Sequence, residues 1–562
     1  MRYHRSSLFL AWVLLLALMI SACTSMPAAP SSGETAAPAG PVVNSVGVQL
    51  PDDAAPLEQQ IFHTMTIEGK HFDVTRNIYE TNGMQGTVWE PLVWLDADFK
   101  AYPGGADSWE VSDDGLTWSF HLRQTAKWSD GTPINADDWV FSLQRMLSPE
   151  IANPYGWFYA SIKNATAYQK GEVGIEELGV AKADDYTLQI TTETPIPYFL
   201  QVVGFIPTIA PKHMIEQYGD AWADSPETAL SNGPFIIKEW NKGANLVYVP
   251  NPEYDGPMKP KVEQVISTLI PQADIPVLPM FQAGEIDGVA GLRGPQLAQA
   301  LADPNLASQV EKYPSFTTFY MFFDNQNPPF NDLKVRQAFS HAIDRESISN
   351  AVMQGLEIPA YTMLPEGFPC SQASNPDIRA IQAYDPEQAK ALLAEAGYAD
   401  GAGFPELALW TRQGQVVTEA EAIQRMLKEN LGVTVTPKDQ ERSFYMDQLR
   451  AYAIPLGIIQ WAQDYSDPTN FLDWWATGSR HNWQNEKFTE LIDAARGELD
   501  TAKRCEMYNE AEKILIEDVG GVFIGHPVEG VLWSSKLGGL RTTKDGIHRN
   551  SYLTWVDVYI KR

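Results

Sequence analysis

The chain has 562 residues, 44% of them hydrophobic, and a formal charge of −30. That length permits several cores. So acidic a balance argues against a nucleic-acid partner, which needs clustered Lys and Arg against phosphate, and against electrostatic docking on anionic lipid.

The first element is a leader. Arg2 and Arg5 precede an apolar run from Leu8 to Ile20, which ends in Ile20-Ser21-Ala22-Cys23. A basic start, a short hydrophobic stretch and small residues at its end read as a secretory signal over 1–22, too short for a comfortable membrane span. The tetrad resembles the lipobox of bacterial lipoproteins, which implies a lipid on Cys23 and an anchor at the extracytoplasmic face of the cell membrane. Residues 24–45 are mostly Pro, Ala, Ser, Gly and Thr, a flexible tether with a random-coil reach of about 25 Å. No later segment offers eighteen uninterrupted apolar residues, since Phe199 to Ile209 and Ile454 to Ile459 are short and bounded by Pro.

Further along, Trp118, Phe120 and Leu122 alternate with polar residues, a half-buried strand between turns at Asp114-Gly115 and Asp130-Gly131. Asn135 with Asp138 forms a helix start, and Trp139, Val140, Leu143, Met146 and Leu147 share one helical face. The same spacing recurs at Val335, Ala338, Phe339, Ala342 and Ile343. Asp385-Pro386 opens a third helix, which stops at Gly397. Leu553, Trp555 and Asp557 alternate with Thr554, Val556 and Val558, which predicts a C-terminal strand. Strands and helices are mixed without a fixed repeat, so the class is α/β or α+β. Cys370 and Cys505 lie far apart, and both a disulfide and two free thiols stay open.

Catalytic signatures are missing. The sequence holds no Gly-x-Ser-x-Gly elbow, no phosphate-cradling loop and no His-Glu-x-x-His, and no two of the nine histidines stand four apart. Asp113-Asp114 and Asp137-Asp138 read as a turn and a helix start. A long exported chain of this kind leans toward binding. The segment from Gln460 to Phe471 leaves an apolar run and breaks into Asp, Ser and Pro between aromatics, as a ligand loop at a strand end would.

Four segments resemble the peptide-type (family 5) solute-binding proteins of bacterial ABC importers. They are Asp107 to Pro133 (with Trp109, Asp114-Gly115, Trp118 and Trp128-Ser129-Asp130-Gly131), Asn232-Gly233-Pro234-Phe235 with Gly284-Glu285-Ile286-Asp287, Pro328 to Arg345, and the Trp461 to Phe471 loop. The resemblance implies a two-lobed α/β periplasmic-binding-protein fold (type II) with two hinge crossovers and an extra inserted domain. Lobe I would use 46–89, 210–317 and 530–562, the inserted domain 90–209 and lobe III 318–529. Crossovers are expected near 316–323 and 522–531, with hinge closure over the ligand and delivery to the permease and ATPase subunits of an importer. No enzymatic activity, metal or other cofactor is implied, and the body would act as a monomer.

The resemblance is greatest to the oligopeptide binders. It implies that Asp464 meets the peptide's α-ammonium, that Trp461 and Gln463 flank the ligand and that Tyr155 faces it from the inserted domain. A buried amine needs a carboxylate, and extended backbone can be held as an added strand is. Two departures stand out: Ile458 occupies the position of a basic residue that meets the peptide carboxylate, and Ala462 one place of a cysteine pair. Arg450 and Arg412 are the alternative cations. Family relatives also take dipeptides, nickel chelates and oligosaccharides. Scattered histidines disfavour nickel, whereas Trp461, Trp474, Trp475 and Trp157 suit sugar faces, so an oligosaccharide ligand is the rival. A ligand sensor is the reading from another class.

Overall fold

The computed structural model describes residues 42–82, 87–96, 99–271, 276–413, 416–478, 480–540 and 552–562. The leader, Cys23 and most of the expected tether lie outside these. Its last residues pack on the body: Val43 bridges to Gln49, and buried Asn44 donates to the Pro260 carbonyl at 2.7 Å. Among the described residues no helix is long and apolar enough to cross a membrane.

Three sheets organise the body. The first has four strands in the order Ile61–Ile67, Gln264–Ile270, Asn245–Pro250 and Phe235–Asn241. The second is an antiparallel set built from Ala106–Val111, Thr117–Leu122, Thr187–Thr191 and Val180–Asp184. Trp118, Phe120 and Leu122 are buried as their alternation predicts. The helix Ala136–Met146 starts with the expected box, Asn135 accepting from Asp137 N–H while Asp138 accepts from Asn135 N–H. The two sheets share one continuous apolar core, in which Phe120, Leu188 and Ile190 join Phe62, Phe235 and Val265.

The third sheet is eight-stranded. Its centre is Thr317–Phe323, flanked by Leu456–Ala462 and by the long strand Gly521–Trp533, with Leu407–Arg412 and Val435–Gln440 beyond. Every residue of Thr317–Phe323 is buried. Tyr320 and Phe322 enter the core on one face, Phe319, Met321 and Phe323 the core on the other. A strand covered on both faces reads as a continuous apolar run rather than an alternation.

The long strand links the halves. Its start pairs with Thr317–Phe323 and its end with Val310–Pro314 and Gly288–Leu292. Two antiparallel passages, 310–323 and 521–533, thus run side by side between the regions.

The carboxyl terminus corrects the sequence reading. Tyr552–Asp557 is a helix, and only Tyr559–Ile560 is a strand, paired with Leu537–Gly538. Trp555 lies edge-on to Phe62, Phe235 and Tyr248, while its neighbour Val556 is buried in the same core. A strand would send these consecutive side chains to opposite faces, so packing overrides the alternation. Cys370 and Cys505 form a disulfide with a Cα–Cα distance of 5.0 Å, closing the question left open.

Candidate functional site

The strand Leu456–Ala462 carries the site to its end. There the chain turns through Gln463–Ser466 and enters the short helix Thr469–Leu472. Asp467 fixes the turn: its Oδ1 accepts from Thr469 N–H at 3.0 Å and Thr469 Oγ1 at 2.7 Å, and its Oδ2 pairs with Arg504 at 2.6 Å.

Asn470 is the clamp that the sequence reading missed. Its Oδ1 accepts from Trp461 Nε1 at 3.1 Å and from Asp464 N–H at 3.0 Å, and its Nδ2 donates to Asp464 Oδ2 at 3.5 Å. One buried side chain therefore orients both expected ligand residues. Its signal was its place within the same loop, six residues past Asp464.

Asp464 is half-buried, and burial raises its carboxyl to about 6. Tyr155 OH donates to its Oδ1 at 3.4 Å from the region of the second sheet. Among the described residues it has no ion-pair partner. That region touches the loop twice more: Ser466 N–H donates to Gln201 at 2.6 Å, and the rings of Tyr198 and Tyr465 stack at 4.8 Å.

Aromatic rings continue across the gap. Tyr79 meets Tyr155 at 5.6 Å, Tyr155 meets Trp157 at 5.0 Å, Trp157 meets Trp474 at 5.7 Å and Trp474 meets Trp461 at 4.6 Å. A cavity of about 460 Å³ opens beside Trp157, Asn470 and Trp474. The Arg480 guanidinium lies over Trp461 and Trp474, 4.7 and 4.3 Å from the ring centroids, a favourable cation–π geometry. Arg480 was not anticipated.

The remaining expected residues are dispersed. Gln463 donates its N–H to the Phe316 carbonyl at 3.0 Å, while its buried Oε1 has no partner among the described residues. Arg412 ends its strand half-buried, with burial and the nearby charges of Arg442 and Arg480 lowering it to about 10, still a cation at neutral pH. Arg450 is exposed and paired with Asp447 at 3.0 Å. Ile458 is fully buried in the sheet core. Trp475 is also core, fully buried against Tyr320, His481 and Phe523, and offers no face to a sugar. Among the described residues no cluster of three metal-ligating side chains occurs.

Residues 100–483 match the model of the bacterial extracellular solute-binding proteins, family 5. The chain is 32% identical over 467 residues to the periplasmic oligopeptide-binding protein OppA of Salmonella typhimurium, covering 82% of this chain and 85% of that one. It is 31% identical over 438 residues to the probable deoxycholate-binding periplasmic protein YgiS of Escherichia coli, covering 76% and 80%. The solved structure of the Escherichia coli murein tripeptide-binding protein MppA superposes with a TM-score of 0.74 at 29% identity, covering 91% of this chain and all of that one. The fold is thus the two-lobed type II periplasmic-binding-protein architecture with an inserted domain. The chain belongs to the family 5 bacterial extracellular solute-binding proteins, which bind their ligands and are not enzymes.

Proposed function

We propose that the chain is the lipid-anchored receptor of an ABC importer and captures oligopeptides between its lobes. The observation that carries this reading is Asp464: a half-buried carboxylate, held by Asn470 and Tyr155, with no cation paired to it among the described residues. A peptide α-ammonium supplies the missing charge through a charge-assisted hydrogen bond. Trp461 and Tyr155 flank the ligand, and Gln463 Oε1 is an acceptor for a backbone N–H. Arg412 is the cation for the peptide carboxylate, while Arg450 acts at most at the rim. Similarity to an oligopeptide binder and a murein tripeptide binder supports the ligand class.

On this reading the lobes close on the peptide about the paired passages 310–323 and 521–533, and the closed form docks on the permease. Lipid on Cys23 and the tether behind it keep the receptor near that partner, raising its effective concentration.

Native mass spectrometry of the protein purified from its own cells tests the ligand class. A ladder of masses that tandem fragmentation resolves into amino acids is expected. Bound species spaced by hexose units would replace this reading with the oligosaccharide one.

A further inference from the structure

A second, larger cavity of about 660 Å³ lies on the other side of the strand Leu456–Ala462. Its walls are mainly apolar, with Met65, Leu292, Phe319 and Val528 among them. Three polar side chains reach it in a different state. Glu357 and Glu419 line it while only 3% and 4% exposed. Neither carboxylate oxygen of Glu357 has a hydrogen-bond partner among the described residues, nor has Gln460 Oε1, which also lines the cavity.

This is an unusual expense. A buried polar group without a partner is destabilising, and more so when charged. Packing accommodates it nonetheless. Glu357 begins the strand Glu357–Pro359, whose Pro359 pairs with Gly525 of the long strand. A Cβ at 525 would overlap the Glu357 carboxylate, so glycine at 525 leaves the carboxylate its room. Glu419 comes from the first turn of the helix Val417–Leu431, close enough for the two acids to repel. Arg293, the one arginine on the cavity wall among the described residues, is bound to Glu529, which also accepts from Tyr313 OH at 3.1 Å. No cation pairs with Glu357 or Glu419 among the described residues.

We propose that this cavity is a specificity pocket for a cationic side chain of the ligand, an ammonium or guanidinium on an alkyl stem, with Glu357 and Glu419 as its counter-ions and Gln460 as a further acceptor. The stem lies on the apolar wall and the charge meets the acids. Burial raises both carboxyls, and the Glu419 charge raises Glu357 further, so the protonated forms are favoured. A cation that enters takes the carboxylate form, and the displaced proton passes to solvent. Gln460 is one residue from Trp461 and four from Asp464, a span of at most about 13 Å even for extended chain. A basic residue beyond the first of a peptide anchored at Asp464 reaches the pocket. The inference thus deepens the peptide reading and rests on it for the anchor.

The test is a calorimetric series on the full mature chain. Tetra-alanine peptides carry lysine at position two, three or four, each matched by its norleucine counterpart, and hexylammonium serves as a ligand without a peptide backbone. At one position lysine is expected to bind at least tenfold tighter than norleucine. In the double variant Glu357→Gln, Glu419→Gln that ratio falls to near one, while the norleucine peptide keeps its affinity, which also reports that the variant folds. A ratio near one in the unmodified protein, or a ratio that survives the double variant, overturns the pocket and leaves the peptide reading standing. Failure of every peptide, norleucine ones included, overturns the peptide reading instead. Hexylammonium then decides the pocket alone: binding that the double variant abolishes upholds it, and no binding overturns it.

Discussion

Two acidic places lie along one strand, and they are built in opposite ways. Asp464 stands at the strand's end, half-open, with Asn470 and Tyr155 bonded to its two oxygens. Glu357 and Glu419 line the larger cavity as buried side chains, with no partner for either Glu357 oxygen among the described residues. The first arrangement fixes a carboxylate in space at modest cost. The second stores an unfavourable burial that a matching ligand group relieves. A site that anchors a group common to many ligands needs fixed geometry, whereas one that selects a side chain gains discrimination from a polar group left unpaired without it.

The comparison can be broken by substitution. The largest effect is expected at Gly525→Ala, whose new methyl overlaps Glu357. Overpacking of this kind costs about 1–3 kcal/mol. Thermal denaturation should show the loss, and Glu357→Ala in the same chain should recover most of it. Recovery by Glu357→Ala separates a local clash from a general loss of packing.

Next comes Asp464→Asn, expected to weaken peptide binding at least tenfold, about 1.4 kcal/mol. Acidity should mimic it. A carboxyl that burial holds at about 6 takes up a proton below that pH, and the ammonium must then displace the proton to bind. Affinity is expected to be highest near pH 7, to fall toward tenfold per pH unit below 6, and to fall again above about pH 8 as the peptide's own α-amine loses its proton, measured by titration across that range. In Asp464→Asn the fall below pH 6 should vanish.

Asn470→Ala removes the clamp and leaves the Asp464 carboxylate in place. A loss of about 1 kcal/mol in peptide affinity is expected from the lost orientation, with the pH dependence retained. The smallest effect belongs to Glu357→Gln. Its carboxyl is raised well above 4.5 in the fold, so the folded state binds more protons than the unfolded one between those values. Stability contributed by the protonated form is present below the unfolded pKa and is lost as pH rises through the folded one. Glu357→Gln should therefore raise the melting temperature at pH 8 and leave it unchanged at pH 4.

Much of this was legible in the sequence. The Asn135 box, the Trp118 strand and the Asp385 helix follow from local rules, and the Trp461 to Phe471 loop marks itself by breaking an apolar run with Asp, Ser and Pro. The misses have physical causes. Trp474 and Trp475 are adjacent and alike in sequence, but a short helical turn sends one to the gap and the other to the core. Tyr552–Asp557 alternates like a strand, yet Trp555 and Val556 both reach one core. Glu357 and Glu419 belong to different elements far apart in the chain, so no spacing rule joins them. Arg480 becomes a site residue only because Trp461 and Trp474 offer it their faces.

The central claim is that Asp464 receives the ligand's amino terminus. The most direct measurement is a calorimetric cycle with one peptide, free or acetylated at its amino terminus, against the unmodified protein and Asp464→Asn. The account predicts that acetylation costs the unmodified protein at least tenfold and costs the variant nothing further. Equal losses from acetylation in both proteins would contradict it.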